Sequence, residues 1–343
     1  MYRLVTDKYF TMSQDFRYMN KTIVITGASS GAGRAMALEL ATSGAKLVLV
    51  ARRAAALEEL AIECEELGGL ALAVTADVTD ISSLQLVAEN AAQFGGRIDV
   101  WINNAGVLAA GQLEDIPAEV NEKVVRTNLV GYMNAAQVVI PYFKRQGFGI
   151  LVNNISIGGY IPVPYGAAYS ASKFGLRGFS EALRGELKEW ENIHVCDIFP
   201  GLLDTPGMHH AANYLGKDLK PIPPIYAPKQ IAVRVADLLA HPRPKTLIGV
   251  APRFMKLGAL LFPGLTATIT GSVIRRYLKT ARDTEHTAGN ILDPVNFGTS
   301  AEGGWQKHPR IIGRPSIPKV VLAATAITLL GLLLSGSRSK QSI

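Results

Sequence analysis

The chain has 343 residues, 48% of them hydrophobic and 18% charged, with a net charge of +7. That composition supports a sizeable core and excludes a chain that is disordered throughout. Two cysteines without a secretory leader exclude a disulfide framework and fit a reducing compartment.

The charge is uneven. Residues 205–343 carry 18 Lys/Arg against 6 Asp/Glu, whereas residues 1–204 carry 17 against 22. A basic second half suggests an anionic partner, and the apolar runs beside it favour lipid over nucleic acid. Residues 1–20 mix charges and aromatics, lack the apolar stretch of a signal peptide, and read as an N-terminal extension.

From residue 21 the chain alternates strand and helix signals. Lys21–Thr26 is a β-branched apolar run that stops at Gly27, and Ala32–Ser43 follows with helical spacing. Leu47–Val50, Leu70–Thr75, Ile98–Ile102, Ile150–Ile155, Ile193–Phe199 and Thr246–Val250 read as further strands. Helices are expected between them, including Ala54–Leu67, a long one from Tyr169 to Trp190, and Lys229–Ala240. Uninterrupted apolar strands alternating with helices predict an α/β fold: a doubly wound, Rossmann-like parallel sheet covered on both faces, spanning 21–252. Ligands of such sheets bind beyond the carboxyl ends of the strands. The Pro/Gly-rich stretch Gly201–Pro228 is a candidate substrate loop.

After residue 252 the alternation fails. Arg253–Leu278 is apolar with basic ends and broken at Pro263-Gly264, so it reads as an interfacial segment or as a cap on the substrate pocket. Thr280–Pro318 is polar and reads as a linker, completing a helical and linker extension over 253–318. Val320–Leu334 is an uncharged run flanked by Lys319, Arg338 and Lys340. Over 319–335 it is expected to anchor the protein in a membrane, with the catalytic domain on the cytoplasmic face.

The chemistry begins at Gly27-Ala28-Ser29-Ser30-Gly31-Ala32-Gly33, between the first strand and its helix. Glycines there let the backbone approach a pyrophosphate, and the helix start offers free N–H groups and partial positive charge. The second strand ends in Arg52-Arg53 instead of the carboxylate that would hold a ribose 2′-hydroxyl. Two guanidiniums suit a 2′-phosphate, so the pair points to NADP(H). Tyr169 and Lys173, one helical turn apart, form an acid/base pair. The lysine's charge favours the phenolate and is expected to lower the tyrosine pKa, and Lys173 can also hold the nicotinamide ribose. Ser156 would donate to the substrate oxygen as negative charge builds there.

These motifs resemble those of the short-chain dehydrogenase/reductase family over about residues 20–250. The glycine turn looks like that family's cofactor turn. Asn103-Asn104-Ala105-Gly106 matches its NNAG motif, and Tyr169-Ser-Ala-Ser-Lys173 its YxxxK. The resemblance implies that Asn104, Ala105 and Gly106 support the adenosine pocket and that Asp77 and Val78 contact adenine. It also implies that Pro200, Gly201 and Thr205 border the nicotinamide. Asn128 falls at the position of the family's catalytic asparagine, which implies that it holds a water linking Lys173 to solvent. Ser156, Tyr169, Lys173 and Asn128 would then be the catalytic set.

Tyr160, Tyr165, Met208 and Tyr214 are candidate lining of the substrate pocket, and no cluster has metal-ligand spacing. The expected activity is reduction of a carbonyl, or oxidation of an alcohol, on a lipophilic substrate of steroid, retinoid, fatty or sphingoid type. Relatives often pair through two long helices, so a homo-oligomer is expected. The competing readings are a nucleotide-sugar epimerase or dehydratase, which shares the Tyr/Lys pair, and a non-catalytic NADPH-binding membrane scaffold.

Overall fold

A computed structural model describes residues 18–306. The apolar runs form seven parallel strands: β1 (Thr22–Thr26), β2 (Lys46–Ala51), β3 (Leu70–Thr75), β4 (Val100–Asn103), β5 (Gly149–Asn154), β6 (Ile193–Pro200) and β7 (Lys245–Ile248). They lie in the order β7-β6-β5-β4-β1-β2-β3, so the strand order reverses between β1 and β4 while every strand stays parallel. Two buried layers flank it. One packs Met36, Leu40, Leu57 and Val235 onto Ile23, Ile25 and Leu49. The other packs Leu84, Val87, Val139 and Phe143 onto Val24, Val48 and Trp101. Successive strand residues thus face opposite layers, as the period of two requires, and both faces are dry, which is why the strands read as continuous apolar runs.

The helices are α1 (Gly31–Ala41), α2 (Ala54–Glu66), α3 (Ile81–Gly95), α4 (Ala118–Val125), α5 (Gly131–Gln146), α6 (Ala167–Glu186), α7 (Pro228–Ala240), α8 (Ala251–Leu261) and α9 (Pro263–Thr280). Asp80 caps α3 by accepting from the Ser82 and Ser83 N–H groups. Between α4 and α5 a π-helical turn, Arg126–Val130, holds Asn128. Single π turns inside helices recur at functional sites.

Two expectations for the C-terminal part change. Arg253–Leu278 is two helices broken at Phe262-Pro263, because proline cannot continue the α8 ladder. Pro252 and Lys256 of α8 lie against Gly201 and the Tyr160 ring, but no residue of α8 or α9 lines the cleft described below. The expected linker is packed structure from residue 282 to 306: Ile291 is wholly buried and Ala301 rests on the main core.

The expected membrane localisation is withdrawn. No helix among the described residues is long and apolar enough to cross a membrane, and the 320–334 run that motivated the expectation lies outside them.

Candidate active site

The cleft opens at the sheet reversal, beyond the carboxyl ends of β1, β2, β4 and β5, where the topology leaves a crevice between neighbouring loops. It is a cavity of about 350 Å³. Its lining includes Gly27, Ser29, Ser30, Gly31, Arg52, Arg53, Asp77, Val78, Asn104, Ala105, Gly106, Ser156, Tyr169, Lys173, Pro200, Gly201 and Thr205. The sequence thus located most of one wall.

The glycine turn is shaped by close approach. Gly27 has φ +66°, and a Cβ there would lie 2.7 Å from the Ala105 Cα. A Cβ on Gly33 would lie 2.2 Å from the Gly27 carbonyl oxygen. Gly33 therefore does not line the cleft; it lets α1 sit against the turn. Asn104 ties the turn to the next strand. Its Nδ2 donates to the Thr26 and Gly27 carbonyls at 3.1 and 3.2 Å, and its Oδ1 accepts from Asn154 Nδ2 at 2.9 Å. One register step back, Asn103 Nδ2 donates to Asn153 Oδ1 at 3.0 Å inside the core. These amides clamp β1, β4 and β5 in fixed relation at their ends.

At the far end, Asp77 Oδ1 accepts from the Thr79 N–H and hydroxyl, both at 2.8 Å. Burial alone would raise the Asp77 pKa, but these bonds and the nearby Lys123 ammonium hold it below the usual value. The two arginines differ in what they do. Arg53 donates from Nε and Nη2 to Ser29 Oγ, from Nη2 also to the Ser29 carbonyl, and from Nη1 to the carbonyls of Val295 and Phe297. All its donor nitrogens are engaged. Arg52 donates one bond from each Nη, to the carbonyls of Asn290 and Leu292. Among the described residues its Nε–H and the second N–H on each Nη are not spent. Burial and the neighbouring charges of Arg34 and Arg52 lower the Arg53 pKa, the signature of a corner with positive charge to spare.

At the near end, β5 runs into Ser156, whose φ of +87° and ψ of 157° lie in a region that side chains avoid. Ser156 Oγ accepts from the Gly158 N–H at 3.2 Å, and its hydroxyl favours the ionised form of the nearby Tyr169. Lys173 is 5% exposed, donates to the Asn154 carbonyl at 3.0 Å, and sits 5.3 Å from the Tyr132 ring centre and 5.8 Å from that of Tyr169. Burial pulls its pKa down to about 7. Burial also pushes the Tyr169 pKa up, and the Ser156 hydroxyl lowers it only in part. This corrects the expected direction: the i+4 spacing places the lysine, but burial of the phenol sets the direction of its shift.

Asn128 is fully buried and does not line the cleft. Its Oδ1 accepts from the Val107 N–H at 2.8 Å, and its Nδ2 donates to the Val107 carbonyl and Ser172 Oγ at 2.9 and 3.3 Å. The side chain thus fixes the loop after β4 against α6. Of the four candidate pocket residues only Met208 lines the cavity. Tyr160 packs on Phe199, Tyr214 joins the Ile291 cluster, and Tyr165 directs its carbonyl to Gly111.

The candidate substrate loop Gly201–Pro228 does reach the cavity, through Leu202, Leu203, Pro221 and the buried His210, while sequence reading missed Leu108 and the far wall at Asn290, Pro294 and Val295. Ile291, a buried apolar residue in a polar run, was the one local sign that this segment packs.

The described residues fit a phosphorylated dinucleotide: a glycine cradle at a helix start, spare guanidinium N–H groups where the second strand ends, and a buried lysine at the other end. Comparison with known proteins agrees. A family model described as short chain dehydrogenase matches residues 21–214. An uncharacterized oxidoreductase, YxnA of Bacillus subtilis, is 32% identical over 314 residues, 89% of this chain and 88% of that one. Dehydrogenase/reductase SDR family member 7B of Mus musculus is 37% identical over 193 residues, 54% of this chain and 58% of its own. Among solved structures, an alcohol dehydrogenase from the archaeon Thermococcus sibiricus complexed with 5-hydroxy-NADP superposes with a TM-score of 0.58. It is 28% identical, covering 66% of this chain and 95% of that one. A short-chain dehydrogenase from Streptomyces avermitilis reaches a TM-score of 0.65 at 27% identity, over 75% of this chain and 97% of that one. A family match over more than half the chain, with a relative aligned along nearly all of it, means that this chain belongs to the short-chain dehydrogenase family and is an oxidoreductase.

Proposed function

We propose that the protein is an NADP(H)-dependent oxidoreductase acting on a carbonyl or alcohol of an apolar substrate. The observation that carries this is the convergence of Ser156, Tyr169 and Lys173 at one end of a cleft whose other end holds Arg52. A dinucleotide held between the glycine turn and Lys173 would supply or accept the hydride at the substrate carbon. Ser156 holds the substrate oxygen where negative charge develops. Tyr169 delivers the proton to that oxygen in reduction and removes it in oxidation. Lys173, 3.0 Å from the Asn154 carbonyl, orients the ribose and replenishes the proton. Asn128 acts behind them, as a positioning residue that keeps the β4 loop on α6.

The spare N–H groups of Arg52 support the 2′-phosphate preference, with Arg53 committed to the far wall. The Thermococcus sibiricus dehydrogenase and a metagenomic short-chain oxidoreductase, each solved with an NADP-type ligand, support it further. Leu108, Leu202, Leu203, Met208 and Pro221 in the lining of the cleft support a lipophilic substrate of steroid, retinoid, fatty or sphingoid type.

The test is an NADPH-oxidation screen over lipophilic ketones and aldehydes, with NADH in parallel. Tyr169→Phe should cut turnover about 10²–10⁴-fold while NADPH still binds. Arg52→Ala should weaken NADPH selectively. Equal or better use of NADH by the wild type would overturn the role given to Arg52.

A further inference from the structure

Residues 282–306 contain no helix or strand, yet they follow one defined path. The path begins with bridges pairing Asp283 with Lys217 and Thr287 with Asn213. The Asn290 N–H donates to the His210 carbonyl at 2.9 Å, and Ile291 enters the cluster formed by Ile116, Val120, Val124 and Ala212. The segment then crosses the carboxyl ends of β1 and β2. Its carbonyls accept there from Arg52 (Asn290, 2.5 Å; Leu292, 3.1 Å) and from Arg53 (Val295, 3.3 Å; Phe297, 2.9 Å). The Ser300 carbonyl accepts from the Gly31 N–H at 2.9 Å, at the start of α1.

The far end is fastened more tightly. The buried Asp204 carboxylate accepts from the N–H groups of Gly303, Trp305 and Gln306 at 3.1, 2.9 and 3.0 Å. The Trp305 indole donates to the Thr205 carbonyl at 3.0 Å and stacks on His209, with ring centres 4.1 Å apart and planes 13° apart.

This segment roofs the cleft without filling it. Asn290, Pro294 and Val295 line the same cavity as Asp77, Val78, Asn104 and Tyr169, while Ser29, Ser30 and Ala32 still face the space beneath. The arginines that close the roof also stand where the second strand would meet a 2′-phosphate. A dinucleotide lying from Arg52 to Lys173 would be covered along its adenosine and phosphate half.

We propose that residues 282–306 form a strap that closes over the bound dinucleotide and must open for the cofactor to leave, with Asp204, His209 and Trp305 as its latch. Asn290, Pro294 and Val295 are then cofactor-contact residues on the outer wall. Arg53 ties roof to floor, and Arg52 is shared between roof and 2′-phosphate. The proposal rests on the NADP(H) reading above.

Two measurements on the full chain test it. The first is hydrogen–deuterium exchange with and without saturating NADPH. The amides of residues 288–300 should exchange at least tenfold more slowly with the cofactor bound. Unchanged or faster exchange there overturns the proposal, since a plug displaced by cofactor would open rather than close.

The second is stopped-flow displacement of NADPH from the wild type and from Trp305→Ala, whose side chain lies outside the cleft. Release should be at least tenfold faster from a variant that keeps the wild-type circular dichroism. Equal release rates overturn the strap. If the variant does not fold, the exchange experiment on the wild type decides alone. A wild type that binds neither NADPH nor NADH overturns both this proposal and the functional reading. Binding with an indifferent strap overturns only this one.

Discussion

A buried Lys173 costs the fold stability, and the cost can be worked out. Burial takes its pKa from an ordinary 10.5 to about 7. At ~1.4 kcal/mol per tenfold change, that is a penalty of about 5 kcal/mol on the ammonium relative to the unfolded chain. Met fits the same volume without the charge. The Asn154 carbonyl that Lys173 leaves still accepts from the Tyr132 hydroxyl at 3.2 Å, so no orphaned group results. Lys173→Met should therefore be more stable than the wild type, by about 2–5 kcal/mol at pH 6 once partial relaxation of the buried charge is allowed for. The pH dependence is the discriminating part. Between about pH 7 and 10.5 the unfolded chain keeps this proton and the folded chain has lost it. Wild-type stability then gains up to ~1.4 kcal/mol per pH unit from this group, a gain the variant lacks. The variant's advantage should be constant below about pH 7 and at least 1 kcal/mol smaller by pH 9. Urea unfolding of the cofactor-free proteins at pH 6, 7.5 and 9 measures it. An advantage that does not change with pH, or a variant less stable at pH 6, would refute the reasoning.

Because burial raises the Tyr169 pKa, the phenol is protonated across the neutral range. Alcohol oxidation should therefore climb from pH 7 to 10; oxidation fastest at pH 6 in initial-rate assays would contradict this. Ser156→Gly removes the side chain from a +87° φ, so it should raise stability by about 1 kcal/mol while lowering turnover about 10²–10³-fold. Ser156→Ala should lose turnover alike without the gain in thermal midpoint. Arg184 donates to the fully buried Asp197 at 3.0 Å, and burial raises the Asp197 pKa. Arg184→Met should cost about 3–5 kcal/mol at pH 7 by stranding that carboxylate. The deficit should shrink as pH falls, since protonation of Asp197 removes the stranded charge, and acid and neutral unfolding curves would show it.

The parallel sheet was legible because its signal is local. An apolar run of four to eight residues buried on both faces has little alternative, and the observed strand ends lie within a residue or two of those runs. The glycine turn was legible for a similar reason: Gly27 and Gly33 stand where a Cβ would collide with backbone. Spacing also brought Tyr169 and Lys173 onto one face of α6. Spacing carries no information on solvent, however, and the direction of the Tyr169 shift depends on solvent. The Arg52-Arg53 pair shows the same gap. Two guanidiniums after a second strand suggest an anion, but a guanidinium serves a carbonyl as readily as a phosphate, and Arg53 is spent on carbonyls more than 240 residues away.

The strap was illegible because, beyond Ile291 and Trp305, little in its own sequence orders it. Residues 282–306 are polar, without period, and contain Gly289, Gly298, Gly303 and Gly304, the composition of a linker. Their order comes from groups supplied elsewhere: the Gly31 N–H, two guanidiniums, and a carboxylate that gathers three consecutive-turn amides. Such order is cooperative, since each carbonyl is worth little until the others are seated. The donors and acceptors belong to two different parts of the site. Gly31, Arg52 and Arg53 come from the glycine turn and the end of β2, whereas Asp204, Thr205, His209 and His210 come from the loop after β6. Residues 282–306 are therefore bonded to the loop after β6 and to the Arg52-Arg53 corner at the same time, and neither wall can shift without breaking bonds to the other.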